Sequence, residues 1–97
     1  MDGISKYSLG PDVAAAIPQA KNDFRMNLLR KYEGREISDP EAGKRGAQLF
    51  EARVGNDRVG GAGVRRLVLL VQSGQITKMF FTENHYNPGS WKRITDF

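Results

Sequence analysis

The chain has 97 residues, 39% of them hydrophobic, enough for one core and too few for two, so residues 1–97 are read as a single domain. The absence of cysteine and the presence of one histidine exclude disulfides and thiolate chemistry and leave a zinc site short of ligands. No apolar run nears the roughly 20 residues that cross a bilayer, and MDGISKYSLG lacks the basic-then-apolar profile of a signal peptide, so a soluble protein with no membrane partner is expected.

Fifteen Lys and Arg against eleven Asp and Glu give a net charge of +4, which favours a polyanionic partner over an acidic surface. The excess lies late in the chain, where Arg58, Arg65, Arg66, Lys78, Lys92 and Arg93 are accompanied only by Glu83 and Asp96. Simple solubility is the competing reading of this charge.

In chain order, the first strong pattern is Ile17, Ala20, Phe24, Leu28 and Tyr32, whose spacings of three and four line one stripe of an α-helix. Arg30 and Lys31 suit its C-terminal dipole and Gly34 suits the left-handed position that ends it. Pro18 fits a first turn better than an interior, which makes DVAAAI either a separate short turn or a kinked preamble. In SDPEAGKRG, Asp39 reads as an N-cap and Pro40 as the first residue of a short helix ending near Gly46.

From AQLFEARV onward the period changes from 3.6 to 2, and the remainder reads as an antiparallel meander. GNDRVGGAG, residues 55–63, lacks the GK[ST] ending of a phosphate-binding P-loop and precedes a strand, so it reads as a connection between strands. VRRLVLLVQ has the two-sided apolarity of a central strand, Ser73 and Gly74 form a hairpin turn, ITKMFFTE returns, and NPGS leads to a last outer strand in WKRITDF. The plan is α+β: an N-terminal helix or helices followed by a C-terminal antiparallel sheet of about four strands.

A two-residue turn at Ser73–Gly74 pairs Gln72 with Gln75, and an unbroken ladder then sets Arg66 opposite Phe81. His85 has the parity of Phe81, so Arg66 and His85 are expected on one side of the sheet. Glu51, between Phe50 and Ala52, is expected to face away from both.

A carboxylate, a guanidinium and an imidazole on adjacent strands suit metal-free cleavage of RNA by its own 2′-hydroxyl. Glu51 can take a proton, His85 can give one, and Arg66 can stabilise charge on the phosphate oxygens. The bland alternatives are a turn histidine at 85 and a Glu51 paired with Arg53 or Arg66 on a solvated face. Phe80, Phe81 and Trp91 read as core residues, and Tyr86 as the aromatic contact for a substrate.

FEARV with Glu51, VRRLVL with Arg66 and TENHY with His85, followed after a turn by a strand carrying Ile94, resemble in order and rough spacing the second half of the barnase-like microbial ribonucleases. The helix-first plan and RRLVLLV also resemble RelE-type toxins, some of which carry a His-Tyr pair near the C-terminus. The likeness covers about residues 47–97. It implies the fold these groups share, a helical part packed on an antiparallel sheet. It also implies a metal-independent endoribonuclease without cofactor, the toxic domain of a bacterial toxin system. By the same likeness Glu51 is the base, Arg66 the phosphate clamp and His85 the acid.

An acidic antitoxin or immunity protein, and the ribosome in the RelE case, are the implied partners besides RNA. The implied place of action is the cytoplasm of the producing cell or of a cell that receives the protein. The family's Phe-x-Asn-Arg-Glu base-recognition core is missing. Its second phosphate-binding arginine falls on Ala62 here, which leaves Arg58, Arg65 or Lys78 to substitute and Lys92 and Arg93 to bind RNA by charge. The reading from another class is a non-catalytic RNA-binding or ribosome-associated module that stacks bases on Tyr86 and Trp91.

Overall fold

Pro11 opens the first long element because its fixed φ and missing N–H suit a first helical turn. In the computed structural model, which describes residues 3–34, 37–55, 65–84 and 87–97, helix α1 runs from Pro11 to Arg25. Val13, Ile17 and Ala20 are buried along it and Phe24 packs beside them. The helix thus begins six residues before the stripe read from Ile17, takes in all of DVAAAI, and carries Pro18 on its exposed side.

Its end also differs from the expectation. Asn27 adopts φ 58°, its N–H bonds to Phe24 O at 3.0 Å, and the Leu28 N–H bonds to Asp23 O at 2.9 Å. This pair of bonds closes the helix with asparagine in the left-handed position. Leu28 is therefore 65% exposed, and Tyr32 leaves the stripe altogether. Gly34 ends nothing helical.

Six strands follow the order β1-β6-β5-β4-β3-β2, with β1 Gly3–Ile4, β2 Arg30–Lys31, β3 Gln48–Arg53, β4 Arg66–Gln72, β5 Gln75–Thr82 and β6 Lys92–Ile94. The four strands read from the sequence are β3 to β6. Two short edge strands enlarge the sheet, and β1 runs parallel to β6, so the sheet is mixed rather than antiparallel throughout. Two residues carry no detectable period; their pairing comes from chain ends meeting in space. Asp96 accepts from Lys6 N at 2.7 Å and Ser5 Oγ at 2.9 Å, and Thr95 N donates to Ile4 O at 2.9 Å.

Ser73 at φ 52° and Gly74 at φ 78° match the turn whose twist suits a two-residue hairpin, and Gln72 pairs with Gln75 as expected. One residue further the ladder slips. Val71 pairs with Ile76 but Leu70 with Lys78, which leaves Thr77 as a bulge and sets Arg66 opposite Thr82 instead of Phe81. The Thr77 hydroxyl bonds to Gln72 Oε1 at 2.7 Å.

Both faces of β4 are buried from Arg66 to Val71. One face packs Leu67, Leu69, Met79, Phe81 and Ile94 under α1. The other packs Val68, Leu70 and Phe80 under Tyr32, Ile37 and Trp91, residues supplied by the chain on either side of the sheet. That second cover is tied down at its middle. Asp39 caps a 3₁₀ turn, Pro40–Gly43, by accepting from Glu41 N at 2.8 Å; this replaces the short helix expected to run to Gly46. The same carboxylate takes Lys78 Nζ at 3.0 and 3.1 Å, and Glu41 Oε2 accepts from Gln72 Nε2 at 3.0 Å. No helix among the described residues is long and apolar enough to cross a membrane.

Candidate functional site

The alternation of β3 turns Phe50 and Ala52 toward α1 and leaves Glu51 and Arg53 on the opposite face, as the sequence implied for Glu51. Register extends this face into two rows. Arg53 lies opposite Arg66, which lies opposite Thr82; in the next row Arg30, Glu51, Val68, Phe80 and Arg93 follow one another across five strands. Glu51 and Arg66 therefore share a face on adjacent strands, with Arg30 and Arg53 beside them.

Arg66 is 7% exposed, and its Nη1 donates to the carbonyl of Arg65 at 2.8 Å. A guanidinium so buried is held in one place, and such placement is what binding of a planar anion needs. Glu51 is half-buried. Among the described residues no hydrogen bond or ion pair engages its carboxylate, nor the exposed guanidinium groups of Arg30 and Arg53. The bland pairing of Glu51 with Arg53 or Arg66 is not made, so the carboxylate keeps its lone pairs for another proton.

Arg30 and Arg53 were missed as site residues, although the signal for one was present. In Glu-Ala-Arg the arginine has the parity of Glu51, and period 2 alone puts both on one face. Nothing local to Arg30 shows that it starts an edge strand.

The bulge at Thr77 alters the relation of Arg66 to the TENHY segment. The face of Arg66 is that of Thr82, not of Phe81 and Glu83, so the unbroken ladder that aligned Arg66 with His85 does not exist. His85 and Tyr86 lie outside the described residues, as does Arg58. Their neighbours are closely held. Asn84 N donates to Thr82 Oγ1 at 3.1 Å, Thr82 and Ser90 share a hydroxyl contact, Ser90 Oγ lies 2.9 Å from Asn84 O and 2.8 Å from Asn87 O, and Asn87 N donates to Asn84 O at 2.9 Å. The segment thus leaves the sheet directly beside Arg66.

The other basic candidates are scattered. Arg65 is ion-paired with Asp12 in the first turn of α1, and that guanidinium holds the Asp12 carboxyl below its ordinary range. Lys78 is bound to Asp39 near the hairpin end of the sheet. Arg93 falls on the face of Glu51, whereas Lys92 pairs with Phe81 and belongs to the other face. Trp91 is buried, with its ring centroid 5.6 Å from that of Tyr32 in an edge-on contact, which makes it a core residue rather than a stacking platform. Its indole N–H has no partner among the described residues.

Known proteins add no second line of argument: no family model, curated protein or solved structure matches this chain.

Proposed function

We propose that the protein is a metal-independent endoribonuclease whose site is the open end of the sheet face carrying Glu51, Arg53 and Arg66. The observation that supports this most is an unengaged carboxylate on the same face as a buried guanidinium. Glu51 takes the proton of a ribose 2′-hydroxyl as its oxygen attacks the adjacent phosphorus. The bond to O5′ breaks, His85 returns a proton to that oxygen, and the products are a 2′,3′-cyclic phosphate and a 5′-hydroxyl. Arg66, with Arg53 opposite it on β3, stabilises the phosphate oxygens as charge grows on them. DNA lacks the attacking group and is not cut.

The resemblance adds the setting: a bacterial toxin domain, acting on mRNA, tRNA or rRNA with or without the ribosome, and restrained by an acidic antitoxin or immunity protein that covers the basic face. A second reading is favoured by the bulge, which removes the ladder route from Arg66 to His85. In that reading the arginines bind RNA without cutting it.

One experiment separates the two. Total RNA and translating ribosomes are incubated with the protein in EDTA and the new ends are mapped. The ribonuclease reading requires 2′,3′-cyclic phosphate ends that disappear with His85→Ala. Strict dependence on added Mg²⁺, 3′-hydroxyl ends, or full activity in His85→Ala would overturn it. Uncut RNA that is nevertheless bound supports the binding module.

A further inference from the structure

Strand β2 is only two residues long, so it covers Phe50 and Glu51 and leaves the outer edge of Ala52 and Arg53 without a strand partner among the described residues. Just before β2 the chain is still turning out of the end of α1. Between α1 and this uncovered edge opens a groove of about 520 Å³, within the range of sites that hold small molecules, roughly 300–1,000 Å³. Its apolar lining comes from Ala16, Ala20, Leu29 and Ala52. Leu28, exposed for no reason of packing, forms part of the wall.

Polar groups stand at two places in this lining. Gln19 Nε2 donates to Asp23 Oδ1 at 2.8 Å, which orients the amide and leaves two acceptors, Gln19 Oε1 and Asp23 Oδ2, with no partner among the described residues. Arg30, Glu51 and Arg53 border the other side, the side chains of Glu51 and Arg53 leaving β3 on the face away from α1. Glu51 and Arg53 therefore stand at the rim, where the uncovered edge divides the groove from the sheet face of Arg66.

We infer that the groove is a nucleobase subsite, holding one base of an RNA nucleotide whose phosphate lies against Arg53 at the uncovered edge of β3. The inference deepens the ribonuclease reading, from which it takes the RNA ligand. Small alanines admit a flat ring where larger side chains would fill the space. The ring covers Leu28, and the acceptors of Gln19 and Asp23 take an exocyclic amino group. Adenine, cytosine and guanine offer such a group. Uracil flanks its single ring donor with two carbonyl oxygens, which two acceptors repel.

The test is binding, measured apart from cleavage. The four nucleoside 3′-monophosphates are titrated into the ¹⁵N-labelled protein, and amide shifts are followed by NMR. Shifts at Gln19, Asp23, Leu28, Leu29 and Ala52 are expected. The uridine nucleotide should bind about tenfold more weakly than the best of the others, the equivalent of one hydrogen bond to a charged group.

Asp23→Asn should erase that preference, and Ala16→Leu, which fills the groove, should weaken all four nucleotides. The spectra of both variants report that they are folded. Shifts confined to other surfaces, or affinities untouched by both substitutions, would overturn the subsite. If nucleotides bind in the groove while RNA stays uncut in the cleavage assay, the ribonuclease reading falls and the subsite stands. If RNA is cut and the groove stays silent, the subsite falls alone.

Discussion

Phe80→Ala tests whether the sheet is packed on both faces, and so how much of the basic face RNA can reach. Phe80 is fully buried between Val68 and Arg93 in register, under Tyr32, Ile37 and Trp91. Truncating a buried phenylalanine costs about 3–5 kcal/mol through lost transfer energy and the cavity left behind. A domain of this size has a total stability of roughly 5–15 kcal/mol. Near the melting point each kcal/mol moves Tm by about 4–8 °C, so a fall of at least about 12 °C is expected.

Phe81→Ala, on the α1 side of the same strand, should cost about as much. Leu28→Ala, at an exposed position, should stay within about 0.5 kcal/mol. Urea unfolding followed by far-ultraviolet circular dichroism and by the emission of Trp91, the single tryptophan, gives the three values. A cost below about 1 kcal/mol for Phe80→Ala would refute the reasoning. It would mean that residues around Tyr32 and Ile37 do not cover that face and that it is open along its whole length.

Glu51→Gln should lower RNA cleavage by about 10² to 10⁴ fold with an unchanged melting temperature, because the carboxylate has no partner to lose; rate and melting measured on one sample check it. Deleting Thr77 should leave the protein folded, since Ile76 and Lys78 already pair with the consecutive residues Val71 and Leu70 and every side chain from Lys78 to Thr82 keeps its face; circular dichroism of the deletion variant decides. The Asp96 carboxyl is held below its usual range first by the Lys6 N–H and also by the Ser5 hydroxyl. Its contribution to stability is complete above the ordinary aspartate value and is lost as pH falls through the lower folded one. Asp96→Asn should remove that part of the acid sensitivity and speed amide exchange at Thr95, which hydrogen exchange across pH 2–6 would reveal, at about these limits.

Local chemistry was sufficient for several features of this protein. The change of period after Ala47 placed β3 and β4, the Ser73–Gly74 pair selected its turn by φ preference, Asp39 and Pro40 announced a cap, and alternation along Leu-Phe-Glu-Ala-Arg put Glu51 opposite to Phe50. Each depends on neighbours a few residues away, so the sequence shows it directly.

The remaining features depended on which surfaces meet. Phe24, Leu28 and Tyr32 continue a helical spacing by arithmetic. Tyr32 is nevertheless needed on the far face of the sheet, over Val68 and Phe80, and Asn27 turns the chain out of α1 to take it there. Thr77 bulges because β5 must present Ile76 and Met79 to the same side under α1 while Ser73–Gly74 keeps its turn. That single extra residue sets the register of everything after it, including whether Arg66 faces the parity of His85. Arg53 comes to stand across from Arg66, and β1 beside β6, only when strands distant in sequence are paired. A one-residue slip costs nothing in local propensity and reverses every side chain, so burial on both faces of the sheet had to decide it.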